Sequence, residues 1–205
     1  MAEFTGPDRH APKPLPLPVV TERLTLRRYR ENDLEATLAY YALPEVARYI
    51  PYEPWTREDA VEQLKKRLRR TGIDGDERGL GLVVEHGGQV IGDVALWCAD
   101  DTRQRGEMGW AFRPDVTGHG FATEAVRALV DVAFGHYGMQ RVFAQLDARN
   151  SASASLCERV GMSREAHLRR DWWGKGEWSD TLVYGLLSEE WAGVALEPHP
   201  AVGSV

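Results

Sequence analysis

The chain is poor in cysteine, since Cys98 and Cys157 are its only two among 205 residues. Two cysteines cannot make a disulfide framework or a cysteine-rich zinc site. No apolar run approaches the ~20 residues that a membrane span needs, and no signal-peptide core follows the first methionine. The histidines lack the spacing of metal ligands. We therefore expect a cytoplasmic protein with no membrane contact and no bound metal ion.

An excess of basic residues is also absent. Lysine and arginine number 25 against 31 aspartates and glutamates, which gives a net charge of -6. This balance argues against a nucleic-acid partner, which would require a basic stripe, and it is compatible with a cationic small substrate. With 43% hydrophobic and 27% charged residues, the composition is that of a globular domain. We expect one domain at 20–192, between a proline-rich tail at 1–19 and a second tail at 193–205.

The hydrophobic periodicity predicts a mixed α/β fold, with a mostly antiparallel sheet of six to seven strands and about four helices. The helix beginning at Thr56 carries a basic run of Lys65, Lys66, Arg69 and Arg70, which is either a phosphate-binding patch or a solvated helix face. The predicted strands lie at 23–27, 80–86, 89–97, 106–112, 141–146, 162–168 and 181–187. The predicted helices begin near residues 33, 56, 121 and 151.

A glycine-rich segment, VTGHGFATEA at 116–125, lies between a predicted strand and an amphipathic helix. Glycines let the backbone approach a ligand closely, and a helix N-terminus presents unpaired N–H groups with a positive dipole end. These features together predict an anion site suited to a pyrophosphate. The segment lacks the lysine of a P-loop, and Thr123 stands where a dinucleotide fingerprint has its third glycine.

Four ordered stretches resemble the GNAT superfamily of N-acetyltransferases. GHGFATEA at 118–125 is similar to the family's acetyl-CoA pyrophosphate loop. RNS at 149–151 and SLCERVGM at 155–162 resemble its asparagine-to-glycine helix. TERLTLR at 21–27 and LVYGLLSEEW at 182–191 resemble the RimJ/RimL-like branch. The similarity covers roughly residues 20–192.

The resemblance implies a splayed sheet that binds acetyl-CoA between two diverging parallel strands, 106–112 and 141–146. The backbone of the first strand would pair with the pantetheine arm, and the glycine loop would cradle the pyrophosphate. Asn150 would donate a hydrogen bond to the pantetheine. The implied cofactor-binding residues are Met108, Trp110, Phe112, Gly118, His119, Gly120, Phe121, Ala122, Thr123, Asn150, Ser155 and Arg159.

Glu107 is the candidate catalytic base, because it lies on the strand that would flank the acetyl group. A carboxylate there can take a proton from an amine, directly or through water. Glu107 has two alternative roles: it binds the amine without acting as a base, or it forms an ion pair with Arg103 or Arg105. A backbone N–H of the same strand is the implied donor to the oxygen that gains negative charge.

Two positions depart from the family pattern. Where many members have a tyrosine that protonates the departing thiolate, this chain has Cys157, which is either the acid or a small buried hydrophobe. Ser155 is a further catalytic candidate, since it could reach the pantetheine arm or the thiol. Asp115 stands where the glycine loop often begins with a cation, so it must point away or leave the phosphates to His119, Arg113 or Arg159.

The acceptor side is less specified by the sequence. Trp172 and Trp173 are predicted in a loop with Trp178, where aromatic walls either bind the acceptor or seal the edge of the core. Asp180 and Asp93 can each hold an ammonium group, or be ordinary turn or surface residues. We expect a primary amine, either a small molecule or a protein N-terminus. The resemblance leaves open a homodimer and also a non-catalytic acyl-CoA-binding sensor on the same fold.

Overall fold

The computed structural model describes residues 14–191. Nine strands and five α-helices occur within these residues. The strands are β1 (Val19–Val20), β2 (Thr25–Arg28), β3 (Thr71–Gly72), β4 (Gly79–His86), β5 (Gln89–Cys98), β6 (Arg105–Phe112), β7 (Arg141–Asp147), β8 (Ser163–Gly174) and β9 (Glu177–Leu187). The helices are α1 (Leu34–Tyr41), α2 (Pro44–Ala47), α3 (Arg57–Arg69), α4 (Phe121–Asp131) and α5 (Ser151–Val160).

The strands form one sheet in the order β1-β2-β4-β5-β6-β7-β9-β8, with β3 on β4. Among the described residues, every pairing is antiparallel except that of β6 with β7. Helices α4 and α5 pack on one face of the sheet, against the largest apolar cluster. Helices α1 and α3 cover the other face. This confirms the mixed α/β fold and the predicted mostly antiparallel sheet.

The parallel strands β6 and β7 diverge after their first three residue pairs. Their register runs from Arg105–Arg141 to Glu107–Phe143 and then stops. Strand β6 stays paired with β5 as far as Phe112, while β7 follows β9 as far as Asp147. Within residues 14–191, the β7-facing edge of β6 after Glu107 has no strand partner, so its backbone groups are open to a ligand. The predicted divergence of these two strands is confirmed.

Alternation along β6 sends its side chains to two different layers. Met108 is 3% exposed and packs in the cluster under α4, with Trp110 and Phe112 at its margin. Ala111 instead packs with Tyr40 and Tyr41 of α1. The strand therefore presents one face to each of the two helical layers, and a cavity can form on either side of it.

The structure has more elements than the sequence predicted. The two additional strands, β1 and β3, have two residues each, and the additional helix α2 has four. Such short elements carry no readable periodicity, because they contain barely one repeat. None of the helices within residues 14–191 is long and apolar enough to cross a membrane.

The predicted loop with three tryptophans is instead a β-hairpin. Trp172 and Trp173 lie on β8, and Trp178 lies opposite Trp173 on β9. Lys175 and Gly176 make the two-residue turn, with φ of 53° and 78°, as such hairpin turns require. The loop prediction was wrong because Gly174 and Gly176 were interpreted as part of one longer loop, whereas Gly174 ends β8 and only Gly176 lies in the turn.

The predicted N-terminal tail is described only from residue 14. Leu15 and Val19 are buried in the main apolar cluster, and β1 pairs with β2. This part of the segment therefore packs on the domain. The rest of that predicted tail, and the tail at 193–205, lie outside the described residues.

Candidate active site

A large cavity of about 1530 Å³ lies where β6 diverges from β7, under the N-termini of α4 and α5. Met108 and His119 do not line it; the side chain of Met108 is buried in the core instead. The structure brings most of the predicted cofactor-binding residues into this one cleft. They are Trp110, Phe112, Gly118, Gly120, Phe121, Ala122, Thr123, Asn150, Ser155 and Arg159.

The glycine loop has the geometry of an anion site. Gly118 and Gly120 have φ of 86° and 79°, a region that glycine enters without strain. Helix α4 begins directly afterwards, and its first N–H donor bond runs from Glu124 to the Gly120 carbonyl at 3.1 Å. The preceding N–H groups of the helix precede any intrahelical bond and are open to an acceptor. The loop therefore aims unpaired donors and a helix N-terminus at one point in the cleft.

An ion pair that the sequence reasoning missed holds this loop in place. The Arg23 guanidinium donates to Glu124 at 2.7 Å and to the His119 carbonyl at 2.9 Å. The backbone N–H of Arg23 and the Thr21 hydroxyl also donate to Glu124, at 2.8 and 2.6 Å. Burial raises the pKa of Glu124, but these hydrogen bonds outweigh it, so the pKa is lowered. Arg23 thereby neutralises the one acidic residue in the first turn of α4.

The charges around the loop suit a phosphate. Arg159 lines the cleft and donates from Nε to the Thr123 hydroxyl at 3.3 Å. Asp115, where the family pattern has a cation, does not line the cleft. It is bound instead by Arg113 through both carboxylate oxygens, at 3.0 and 2.6 Å. The repulsion that Asp115 would exert on a phosphate is therefore compensated outside the site.

Asn150 lies at the N-terminus of α5 and also lines the cleft. Its Oδ1 accepts a hydrogen bond from the Ser153 N–H at 3.0 Å, which orients the side chain and leaves the Nδ2 donor for a ligand. Ser155 is exposed on the same helix and lines the cleft. Ser153, which the sequence reasoning missed, accepts a hydrogen bond from the indole of Trp110 at 3.3 Å.

A second cavity, of about 260 Å³, lies on the other face of β6. Asp93, Glu107 and Gly109 of the sheet form one wall of this cavity, and residues of α3 form another. The two cavities share four lining residues, so they adjoin at these residues. The shared residues are Ile50, Trp110, Asn150 and Ser153.

Glu107 lies in the smaller cavity, at the last residue pair before the strands diverge. Its Oε1 accepts a hydrogen bond from Gln145 Nε2 at 3.3 Å. The alternative ion pair is not formed, because Arg103 binds Asp74 at 2.5 Å. Arg105 faces Asp100 at 3.8 Å. The Glu107 carboxylate is therefore available to an amine that enters this cavity.

Asp93 is a buried wall residue of the same cavity, not a surface or turn residue. It is 5% exposed and accepts hydrogen bonds from the Tyr40 hydroxyl at 2.5 Å and the Tyr41 hydroxyl at 3.2 Å. Burial, and then the charge of Asp93, raise the pKa of both tyrosines. Both hydroxyls therefore remain protonated donors, and the carboxylate of Asp93 is satisfied from within the protein.

Cys157 does not lie at either cavity. It is fully buried in the apolar cluster, and burial raises the pKa of its thiol to about 12. Of the two sequence interpretations, the structure has the small buried hydrophobe. A thiol in that position has no path to a group in the cleft.

The predicted acceptor residues on the β8–β9 hairpin also lie outside both cavities. Trp172 and Trp173 are 52% and 57% exposed. Asp180 accepts hydrogen bonds from the Arg170 N–H at 2.9 Å and from His167 Nε2 at 2.8 Å, and both lower its pKa. The structure therefore does not bring these three residues to Glu107.

Comparisons with known proteins agree with this geometry. Residues 23–163 match the family model described as an acetyltransferase (GNAT) domain. The chain is 29% identical over 173 residues to the uncharacterized N-acetyltransferase p20 of Bacillus licheniformis, which covers 84% of this chain and 97% of p20. A GNAT-family acetyltransferase structure from Bacillus anthracis superposes with a TM-score of 0.74 at 26% identity, over 83% of this chain and 98% of that chain.

A spermidine N-acetyltransferase from Vibrio cholerae, solved in complex with CoA and spermine, shares the fold. Its TM-score is 0.71 at 22% identity, over 83% of this chain and 98% of that chain. The family model covers well over half of the chain, and it includes β6, the glycine loop and α5. The chain thus belongs to the GNAT acetyltransferase family and is an N-acetyltransferase.

Proposed function

We propose that the protein transfers an acetyl group from acetyl-CoA to a primary amine by direct attack in a ternary complex, as an enzyme of the RimJ/RimL-like branch. The observation that carries this proposal is the junction of the two cavities at Trp110, Asn150 and Ser153. A thioester reaching the junction from the larger cavity would meet an amine held in the smaller one, beside Glu107.

The larger cavity has residues suited to the pantetheine arm and to the pyrophosphate of acetyl-CoA. The open edge of β6 supports a pantetheine arm, which can add to it as a strand does. Asn150 Nδ2 would donate to that arm, and the loop at Gly118 and Gly120 would bind the pyrophosphate at the start of α4. Arg159 would add a cation there. Acetyl-CoA, when bound, supplies the activated acetyl group as a thioester.

The residues at the junction have separate tasks. Glu107 would hold the amine and take its proton, because an ammonium group has no lone pair. A backbone N–H on the open edge of β6 would donate to the carbonyl oxygen that gains charge. As the C–N bond forms and the C–S bond of the thioester breaks, CoA would leave as a thiolate and take up a proton from solvent; Ser155 remains our proposal for a hydroxyl that donates a hydrogen bond to this sulfur. The hydroxyl of Ser153 is also a candidate, because it lies at the junction itself.

A second candidate function is an acyl-CoA sensor without catalysis. The burial of Cys157 favours it, because the position of the family's tyrosine acid is occupied by a residue that cannot reach the cleft. A sensor requires the glycine loop and Asn150. It does not require a second cavity in which the Glu107 carboxylate is available to an amine. We therefore favour the transferase.

Initial rates measured with both substrates varied test the proposal. Direct attack in a ternary complex predicts intersecting double-reciprocal lines and an N-acetylated product by mass spectrometry. Parallel lines with an acetylated protein intermediate would contradict direct attack. Binding of acetyl-CoA without any acetylated product would favour the sensor.

A further inference from the structure

Helix α3 and its C-cap residue Arg70 form one wall of the smaller cavity. Gln63, Arg67 and Arg70 all line it, at the i, i+4, i+7 spacing that puts residues on one face of a helix. Lys65 and Arg69 face solvent and bind Glu62 and Glu77, at 3.1 and 2.7 Å. In the basic run, Lys65, Lys66 and Arg69 thus lie on a solvated face, whereas Arg70 lines the cavity together with Arg67, which lies outside that run.

Arg67 is a buried cation. The residue is 9% exposed, and arginine keeps its charge in proteins. Its Nε donates to the Tyr29 hydroxyl at 3.2 Å, and a second nitrogen donates to Gln63 at 3.4 Å. Within residues 14–191 no carboxylate lies within 4.0 Å of it. Burial lowers the pKa of Arg67, but interactions with Tyr41, Tyr29 and then Asp93 raise it. Asp93 thus acts on Arg67 from beyond ion-pair distance, and the guanidinium has no direct contact with an anion, which is unusual for a buried arginine.

Aromatic rings hold the Arg67 guanidinium in place. It lies 4.8 Å from the ring centroid of Tyr41 and 4.7 Å from that of Trp55. Arg70 is half-buried, and its guanidinium lies 5.3 Å from the ring centroid of Trp97. Among the described residues Arg70 also has no ion-pair partner. Both guanidinium groups therefore have donors left for an anion in the cavity.

The acidic side chains of this cavity differ in availability. Asp93 is bound by two tyrosine hydroxyls. Asp147 is bound by Arg149 through both oxygens, at 2.9 and 2.7 Å. Among the described residues, Glu107 accepts only the 3.3 Å bond from Gln145. The cavity thus offers an available carboxylate at the strand divergence and two cations on the α3 wall.

Resting on the proposed function, we propose that the acceptor is a compact amine that also carries an oxyanion, a carboxylate or a phosphonate. Its ammonium group would bind Glu107 and its oxyanion would bind Arg67 and Arg70. The cavity of about 260 Å³ is below the ~300 Å³ at which drug-sized ligand pockets begin, which suits an amino-acid-sized molecule. A polyamine would place a further positive charge beside two arginines, which is unfavourable.

Matched acceptors test this proposal. For the side chains of alanine, methionine and phenylalanine, we would compare the amino acid, its α-amide, the decarboxylated amine and the aminophosphonate. Thiol release from acetyl-CoA gives kcat/KM for each. We expect at least one oxyanion-bearing acceptor to exceed its amide and its decarboxylated counterpart by about tenfold or more. The aminophosphonate decides between the two oxyanions.

Three variants locate the anion site. Arg70→Gln should lower kcat/KM for the oxyanion-bearing acceptor by about tenfold more than it lowers kcat/KM for the matching amide, so that the preference for the oxyanion is lost. Arg69→Gln is the matched control, because it removes a cation from the same helix outside the cavity. Arg67→Gln should have the same effect on the oxyanion preference as Arg70→Gln. Because Arg67 is buried, its substitution should also destabilise the fold, so Arg70→Gln is the decisive variant.

The results divide clearly. Equal rates for the amino acid and its amide, or equal slowing of all acceptors by Arg70→Gln, would overturn this inference and leave the transferase intact. No thiol release with any amine would overturn the proposed function. In that case, calorimetric titration of each acceptor into the protein–CoA complex tests the anion site without turnover. Binding of an oxyanion-bearing amine to the wild type, and its loss in Arg70→Gln, would support the site. No binding to the wild type, or equal binding to both proteins, would refute it.

Discussion

The indole N–H of Trp110 donates to the hydroxyl of Ser153 at 3.3 Å, across the gap between β6 and α5. Both residues line both cavities. The contact therefore marks the point where the two substrates of an acetyl transfer would meet. A side chain that fills this point should slow acetyl transfer more than it weakens the binding of CoA.

Ser153→Leu should fill the junction, and Ser153→Ala should leave it open. We expect Ser153→Leu to reduce kcat by about 100-fold or more, because misplacing reacting groups by about 1 Å has that cost. The dissociation constant of CoA should change less, since the substitution leaves the glycine loop at Gly118 and Gly120 and the side chain of Arg159 unchanged. Turnover of Ser153→Ala should stay within about tenfold of wild type. Equal turnover of both variants would place the reaction elsewhere.

Glu107→Gln should reduce kcat by about 10²–10⁴-fold, the usual contribution of a positioned base. The variant should also lose the low-pH limb of the pH–rate profile. Glu62→Gln is a suitable control, because Glu62 is exposed and, within residues 14–191, forms an ion pair with Lys65 alone. An unchanged pH profile in Glu107→Gln would refute the base and leave Glu107 as a binding group.

Gly118→Ala should weaken CoA binding by about tenfold or more. Gly118 has a φ of 86° and open space where an alanine methyl group would lie, and the same holds for Gly88 at a φ of 76° in the β4–β5 turn. The two variants should lose similar stability, about 1–2 kcal/mol, for a left-handed alanine. In calorimetric titration with CoA, only Gly118→Ala should show the weaker binding. Similar CoA affinity in both variants would mean that the loop does not contact the cofactor.

Glu124→Gln should destabilise the protein by about 1–3 kcal/mol at neutral pH, because Thr21 and Arg23 lose a charged acceptor. The folded-state pKa of Glu124 is lowered from its ordinary value of 4.5. Its stabilisation is therefore present above that value and is lost as the pH falls through the folded pKa. Urea unfolding at pH 7 and at about pH 3.5 should show the difference between variant and wild type shrinking in acid. A pH-independent difference would exclude the ionic contribution.

Cys157→Ala should leave kcat and its pH dependence within about threefold of wild type. The thiol is buried and its pKa is raised to about 12, so it is in no position to protonate a leaving group. The free energy of unfolding should fall by about 1 kcal/mol for the small cavity created. A 100-fold loss of kcat in a folded variant would restore Cys157 as the general acid.

The cofactor cleft was predictable because its signals are local. Gly118, Gly120 and the start of α4 adjoin in the chain, and Asn150 caps the next helix one strand later. Each of these elements follows from turn and cap chemistry within a few residues. The long-range anchor at Arg23 was missed because nothing near Glu124 in the sequence indicates it.

The smaller cavity was not predictable in the same way, because distant segments build it. Asp93 gains its role only when α1 brings two tyrosines to it. Arg67 did carry a local signal that was overlooked: it lies three residues after Leu64 and seven after Ala60, on the buried stripe of α3. The predicted basic run of Lys65, Lys66, Arg69 and Arg70 did not include Arg67, and no role was predicted for it.

The measurement that tests the central claim most directly is the release of free thiol from acetyl-CoA, with and without each amine of a panel. The account predicts that release depends on an amine, saturates with its concentration and yields one N-acetyl product per thiol. Tight binding of acetyl-CoA with no amine-dependent thiol release would contradict it and would leave an acyl-CoA sensor as the better description.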